Sequence, residues 1–548
     1  MFRKFLVSVA LAAAVAVAAA IATSGTSAAS QASRAVNGGV LRAGIADNPD
    51  HIDTGIGFAV EGWELTEATG NGLVKFKDAP GPGSSQIVPD LALAMPKITN
   101  GGKTYTFRMH SAVRFSPPVN RAARPSDIKY AIERLYHVNS PGVGFYTDIV
   151  GASKFAKKLK GGISGIVAND RRMTITFHLM HPDGAFLDIL AMPFAFAVPK
   201  GMPYKDISTD AKWRVGTGPY VVSRYIPHQR IVLTRNPNFH QWTPNSPRGH
   251  LNEIDIQIGV TPEQAVNETI NGQLDWYMGA VPTDRLSQLK AQYPKQVHLF
   301  PRNNDTYFLL NERKYPFTKL AVRQAVNYAT KKPALVKIFG GQGQVSETVI
   351  PPGFGSAYKE HTVYPYNLAK AKTLIKSSGA KGAKVQIWAP NTDPAPKAAQ
   401  YEASVLNSIG LHVTGVKLLD ESVYYDELLS QKTDPQMALT QFDQDYPEGE
   451  DFIDTMLNGE NITQVGNNNT SNTNDPVLNK LIDKAKLLPL GKKRNAAWAH
   501  IDKLFMVRDA GWVPFMHRLE PKFVSPRLHG LVFTGSYFEL LPRMWLSK

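Results

Sequence analysis

The 548-residue chain has no cysteine. That absence excludes disulfides, thiolate metal sites, cysteine nucleophiles and a lipid anchor carried on a cysteine thioether. Long apolar runs are missing too, apart from one near the N-terminus, so the rest of the chain offers no stretch of ~18 apolar residues to span a membrane. Neither a G-x-S-x-G elbow nor an H-E-x-x-H helix occurs, which removes two common hydrolase signatures. The fragment GGKT at Gly101 to Thr104 ends like a phosphate-binding loop, but Lys97 stands where that loop needs a glycine. GGQGQV from Gly340 follows a helical pattern rather than a strand and lacks the last glycine of a dinucleotide loop. His178 and His181 close an alternating strand, where their rings need not converge on a metal. No cofactor and no metal is expected.

What is present suits a folded protein of several domains. Hydrophobic residues make up 43% and charged residues 20%, and single cores stop growing at roughly 250 to 300 residues, so two or three domains are expected. Arg3 and Lys4, an alanine-rich run from Phe5 to Ala22 and small residues after it have the order of a secretory signal peptide. The net charge of +15 comes in short clusters such as Lys492, Lys493 and Arg494, without a basic stripe interleaved with aromatics. Nucleic acid is therefore not an expected partner, and an anionic envelope surface or plain solubility accounts for the charge.

Local patterns alternate between strand and helix. TYTFRMH from Thr104 and RMTITFHLM from Arg172 alternate with period two and predict half-buried strands. Between them SDIKYAIERLYHV predicts a helix capped by Ser126, with Ile128, Ala131, Ile132 and Leu135 on one face. Val215 to Phe239 predicts a hairpin, and TPEQAVNETINGQLDW a helix capped by Thr261, with Pro262 at its first position. The Asn/Thr-rich stretch 464–476 predicts an exposed loop. The class is α/β or α+β.

The most unusual segment is QFDQDYPEGEDFIDTML, Gln441 to Leu457, with six carboxylates in a basic chain. A calcium loop starting at Asp443 fails, because its sixth residue is Glu448 and its twelfth Asp454. Paired carboxylates of a glycosidase need a separation that sequence cannot show. Asp451 and Asp454 fit the solvated face of an amphipathic helix, and Glu448 and Glu450 its N-terminal end, where the dipole favours acid. Asp443 and Asp445 remain, at the end of the strand-like MALTQF and beside Tyr446. A carboxylate at a strand end beside an aromatic suits an organic cation, above all an ammonium.

Five ordered stretches resemble one family. GGVLRAGIADNPDHIDTG, GGKTYTFRMHSAVRFSPP with SDIKYAIERL, GTGPYVVSRYIPHQRIVLTRNPNF, LAVRQAVNYATKKPALVKIFGGQGQ and QDYPEGEDFIDTML are similar to motifs of the extracytoplasmic solute-binding proteins of ABC importers in the dipeptide, oligopeptide and nickel class, family 5. The resemblance implies the class II periplasmic-binding-protein fold, α/β, with three domains and a hinged ligand cleft. It divides the chain into a signal peptide (1–32), a discontinuous domain I (33–76, 204–299 and 505–548), an inserted domain II (77–203) and domain III (300–504). It implies a monomeric, exported, non-catalytic receptor that captures peptides between domains I and III and passes them to ABC permease subunits. Other family members carry oligosaccharides or nickel complexes; an exported hydrolase is the rival outside the family. By the same resemblance Asp445 holds the ligand's α-ammonium, Phe442 and Gln444 line that strand end, and Trp63 contributes from domain I. Asp443 stands where peptide binders often have an uncharged residue, which leaves a more cationic ligand or a salt bridge as its explanation.

Overall fold

A computed structural model describes residues 35–464, 466–535 and 538–548; the expected signal peptide lies outside the described residues. No described helix is long and apolar enough to cross a membrane. Three sheets organise the chain. In the first, Val40–Ile45 lies between Glu253–Ile258 and Trp276–Tyr277 and parallel to both, and the expected hairpin, Tyr220–Ile226 and Arg230–Arg235, extends the sheet antiparallel. The helix Pro262–Ile270 follows as expected, its Thr261 hydroxyl accepting the Gln264 N–H at 3.2 Å.

The second sheet is antiparallel, in the order Lys97–Thr99, Thr104–Arg108, Thr174–His178, Ile166–Asn169. Its GGKT segment is a turn: Gly101 and Gly102 have φ of 60° and 89°, values at which a side chain would be strained. The alternation in Arg172 to Met180 is realised, with Met173, Ile175, Phe177 and Leu179 all buried. The helix Pro125–His137 packs Ile128, Ile132 and Leu135 into the same core. Ser126 is not its cap, contrary to expectation. Pro125 occupies the first turn, Arg124 takes the cap position, and the Asp127 carboxylate accepts the Arg124 N–H at 2.8 Å, while the Ser126 hydroxyl donates to Asp170 at 2.7 Å. Arg134 of this helix forks onto Asp53 at 2.7 and 2.6 Å, with both side chains at most 1% exposed. That pair ties the turn after the first strand to the second sheet's core.

The third sheet is mixed, in the order Val297–Pro301, Trp512–Phe523, Asn304–Leu310, Met437–Asp443, Lys384–Pro390, His412–Leu419, with Gly343–Val345 also on Trp512–Phe523. Helices cover both faces. Leu320–Ala329, Leu368–Ser378 and Ala395–Ile409 pack on one, and Gly449–Leu457, Pro476–Lys486 and Lys492–Arg508 on the other. Every residue of the central strand Asn304–Leu310 is consequently buried, the pattern of a strand covered on both sides. Val297–Pro301 and the end of Trp512–Phe523 run antiparallel side by side. Past them, Phe523 packs on Val266, Val281 and Leu289, and Val524 and Leu528 join the core of the first sheet. The segment 505–548 thus supplies its long strand to the third sheet before returning to the first.

The Asn/Thr-rich stretch 464–476 departs in part from the expected exposed loop: Gln464, Gly466, Asn468 and Asn474 are exposed, but 469–473 is buried. Asn469, Ser471 and Thr473 are 0% exposed. The Asn469 amide donates to the carbonyls of Asn458 and Thr473 at 3.2 and 2.8 Å, and the Thr473 hydroxyl donates to Glu312 at 2.6 Å. Side chains that satisfy backbone groups in this way allow a polar turn to be buried.

Candidate functional site

Met437–Asp443 lies inside the third sheet, between Asn304–Leu310 and Lys384–Pro390, and delivers the acidic segment at its C-terminal end. Side chains alternate along a strand, so Gln441 and Asp443 share one face and Phe442 takes the other. Phe442 turns back onto the helix Gly449–Leu457, edge-on to Phe452 with ring centres 5.0 Å apart. Just beyond the strand, the Gln444 N–H donates to the Asn303 carbonyl at 3.1 Å and the Asn303 amide donates to the Gln444 side-chain carbonyl at 2.8 Å. Gln444 is thus part of the clamp that fixes the turn. Trp63, on the helix Val60–Thr69, is 7% exposed, and its indole N–H donates to the Gly57 carbonyl at 3.0 Å. A run of ring contacts, Trp63 to Phe194 (5.7 Å), Phe194 to Phe145 (6.2 Å) and Phe145 to Tyr446 (6.4 Å), connects it to the residue after Asp445.

The helix Gly449–Leu457 corrects the expectation of a solvated acidic face. Glu450, Asp451 and Asp454 are all buried, as is Glu448 before them. The reason is a second layer of helix carrying matched cations. Arg494, 0% exposed, holds Glu448 at 3.0 Å and also Glu450. The Trp498 indole donates to Glu448 at 2.7 Å, and Lys486 holds Asp454 at 2.8 Å. Glu448 does cap the helix, accepting the Glu450 N–H at 2.8 Å. Asp451 accepts the backbone N–H of Asp445 at 2.9 Å; burial, and next the neighbouring Asp445 charge, raise its pKa.

Asp443 meets Arg302 at 2.8 Å, which supports the salt-bridge explanation for this residue. Arg302 also faces Glu520 at 3.4 Å. Asp445 is different: among the described residues no cation lies within ion-pair distance of its carboxylate. The side chain is half-buried. Enclosure by protein, and secondarily the charge of Asp443, push its carboxyl up to about 7. A carboxylate held in this way favours any cation that can reach it.

Beside this strand is a cavity of about 470 Å³ whose walls come from both sides of the paired crossing strands: Pro282 and Thr283 on one side, Thr306, Thr440, Gln441 and Arg518 on the other. Its volume is within the range of small-molecule sites. The cavity stops short of Asp445, which lies farther along the same strand end. Arg302, Arg518 and Asn303 were not legible as site residues, since each meets the acidic segment across a long sequence separation. His178 and His181 do not form a shared site: His181 pairs with Asp148 at 2.8 Å and His178 faces Thr104 at 3.3 Å. No metal-holding cluster occurs among the described residues.

Comparison with known proteins adds the following. Residues 86–464 match the bacterial extracellular solute-binding proteins, family 5. The chain is 26% identical over 480 residues to heme-binding protein A of Haemophilus influenzae, covering 84% of each chain. It is 24% identical over 529 residues to the probable D,D-dipeptide-binding periplasmic protein of Escherichia coli, covering 94% of this chain and 96% of that one. Among solved structures, the clavulanic acid biosynthesis oligopeptide binding protein 2 superposes with a TM-score of 0.87 at 21% identity, covering 94% of this chain and 96% of that one. The fold is therefore that of the class II periplasmic binding proteins.

Proposed function

Because the chain belongs to family 5 of the bacterial extracellular solute-binding proteins, we propose that it is an extracytoplasmic, monomeric receptor that encloses a peptide and hands it to an ABC import permease. The observation that carries the peptide reading is Asp445. It is a carboxylate among acids that the protein neutralises, yet it has no cation of its own among the described residues, and the strand that leads to it lines a ligand-sized cavity. A ligand's α-ammonium would complete it. Dipeptide and oligopeptide binding in the names of similar proteins supports the same class of ligand.

On this reading the parts divide as the family resemblance implies. The first sheet and its returning segments form domain I, the second sheet the inserted domain II (77–203), and the third sheet domain III (300–504). The strand Trp512–Phe523 is shared across the crossing. The paired strands Val297–Pro301 and Trp512–Phe523 would act as the hinge, and closure around ligand would be rotation about them. The role asked of the protein is binding and release. Native mass spectrometry of the protein expressed without residues 1–32 tests it: released peptides are the expected finding, and a released sugar or metal complex would overturn the peptide assignment.

A further inference from the structure

The positive charge is not spread evenly over the chain. Segment 77–203 carries 16 lysines and arginines against 8 aspartates and glutamates, an excess of 8 out of the +15 of all 548 residues. Part of that excess gathers around one pocket. On the second sheet, Arg108 ends Thr104–Arg108 and stands opposite Thr174, the first residue of the neighbouring strand. The turn that leads into Thr174 presents Arg171 and Arg172 at the same end. All three arginines are exposed. Together with His110 they line a cavity of about 550 Å³ that has no acid in its wall. A fourth, Arg124, donates to the Met173 sulfur at 3.4 Å, and Met173 is part of the same wall.

The nearby acids are engaged elsewhere. Asp170 accepts the Ser126 N–H and hydroxyl at 2.9 and 2.7 Å, and Asp127 holds Arg121 at 2.6 Å. Among the described residues, Arg108, Arg171 and Arg172 have no carboxylate within ion-pair distance and donate no side-chain hydrogen bond. Like charges around one hollow repel each other until an anion enters, and guanidinium groups fork onto phosphate oxygens. The wall also has an apolar part: Leu93 is 48% exposed, and its N–H donates to the Arg108 carbonyl at 2.8 Å. An exposed leucine among cations matches the boundary between lipid headgroups and acyl chains.

We propose that this pocket is a phosphate site for the headgroups of an anionic membrane, and that it holds the protein against the lipid surface. None of its lining residues lines the cavity beside the acidic strand, so the site does not depend on the peptide reading.

Co-sedimentation tests it, using protein expressed without residues 1–32 and vesicles of phosphatidylcholine alone or with about one-third phosphatidylglycerol. Each arginine near such an anionic surface strengthens binding by about fivefold. Wild type should bind the anionic vesicles and not the neutral ones. The triple variant Arg108→Gln, Arg171→Gln, Arg172→Gln should bind about 100-fold more weakly. A charge-matched control, Lys154→Gln, Lys157→Gln, Lys158→Gln, sits on the helix Ala152–Lys158, just after the bridge from Ile149 to Leu179 at the far end of the same strand. It should lose at most about fivefold. Both variants are first checked for an unchanged thermal transition. No binding of wild type to anionic vesicles, or an equal loss in the two variants, overturns the site. Calorimetry with inorganic phosphate separates the sources. Phosphate binding that the arginine variant loses, without vesicle binding by wild type, assigns the pocket to a soluble phosphate and overturns the membrane as its partner.

Discussion

Replacing Asp445 with asparagine keeps the shape of the strand end and removes its charge. An ion pair at ~4 Å in an effective dielectric near 20 is worth about 4 kcal/mol before desolvation. Part of that desolvation is already present in the empty protein, because enclosure has pushed the carboxyl up to about 7. Truncating one partner of a buried charge pair costs about 2 to 5 kcal/mol of binding, so Asp445→Asn should weaken a tripeptide by about 30-fold or more. The pH profile follows from the same shift. Only the ionised carboxylate pairs with an ammonium, so affinity should fall by up to about tenfold for each pH unit below 7. It should level off above 7 and weaken again once the ligand's own amine, with a pKa of about 7.7 to 8.0, loses its proton. Binding lowers the carboxyl's pKa, and a proton is released on complex formation on the acid side. Isothermal titration with trialanine across pH 5.5 to 8.5, in two buffers of different ionisation enthalpy, reads affinity and proton count together. An asparagine variant within about threefold of wild type at pH 7.5, or a flat wild-type profile between pH 5.5 and 7, would refute the anchor.

Three further outcomes are expected. Arg302→Met strips Asp443 of its cation, so the repulsion felt by Asp445 grows and the pH midpoint of tripeptide affinity should move above 7; the same titration series measures it. Glu402 is 0% exposed, bonded to Thr330 at 2.8 Å, and raised to about 7 by burial. A raised carboxyl stabilises fully below its unfolded value and loses that contribution as pH rises through 7. Glu402→Gln should therefore raise the melting temperature at pH 8, by a gain of at most about 3 kcal/mol, and leave it unchanged at pH 4. Arg134→Met leaves Asp53 buried and unpaired, which should cost about 3 to 5 kcal/mol, and adding Asp53→Asn should recover much of it; thermal denaturation of the single and double variants measures both.

How far the chain could be read beforehand depended on the range of the forces involved. Alternation located the strands Thr104–Arg108 and Thr174–His178, and cap chemistry located the helix Pro262–Ile270, because those patterns are written within a few residues. The same local logic misled at Ser126, where Pro125 moved the helix start, and at Asn469 to Thr473, where polar side chains satisfy the backbone instead of facing water. It misled most at Asp451 and Asp454. An amphipathic pattern assigns acids to solvent unless a partner is in view, and Lys486, which holds Asp454, comes from a different helix 32 residues beyond it, while Asp451 turns back onto the Asp445 N–H.

The cleft extends that lesson to function. Asp445 stood out in the sequence because a short motif surrounds it, whereas Arg518 reaches Gln441 across 77 residues and has no motif of its own. Yet Asp445 has no protein counter-ion among the described residues, and enclosure raises its carboxyl to about 7. A protein that neutralises Asp443, Glu448, Glu450 and Asp454 with its own arginines and lysine has the means to neutralise Asp445 as well. That it leaves this one carboxylate without a cation argues for a cationic group on the ligand.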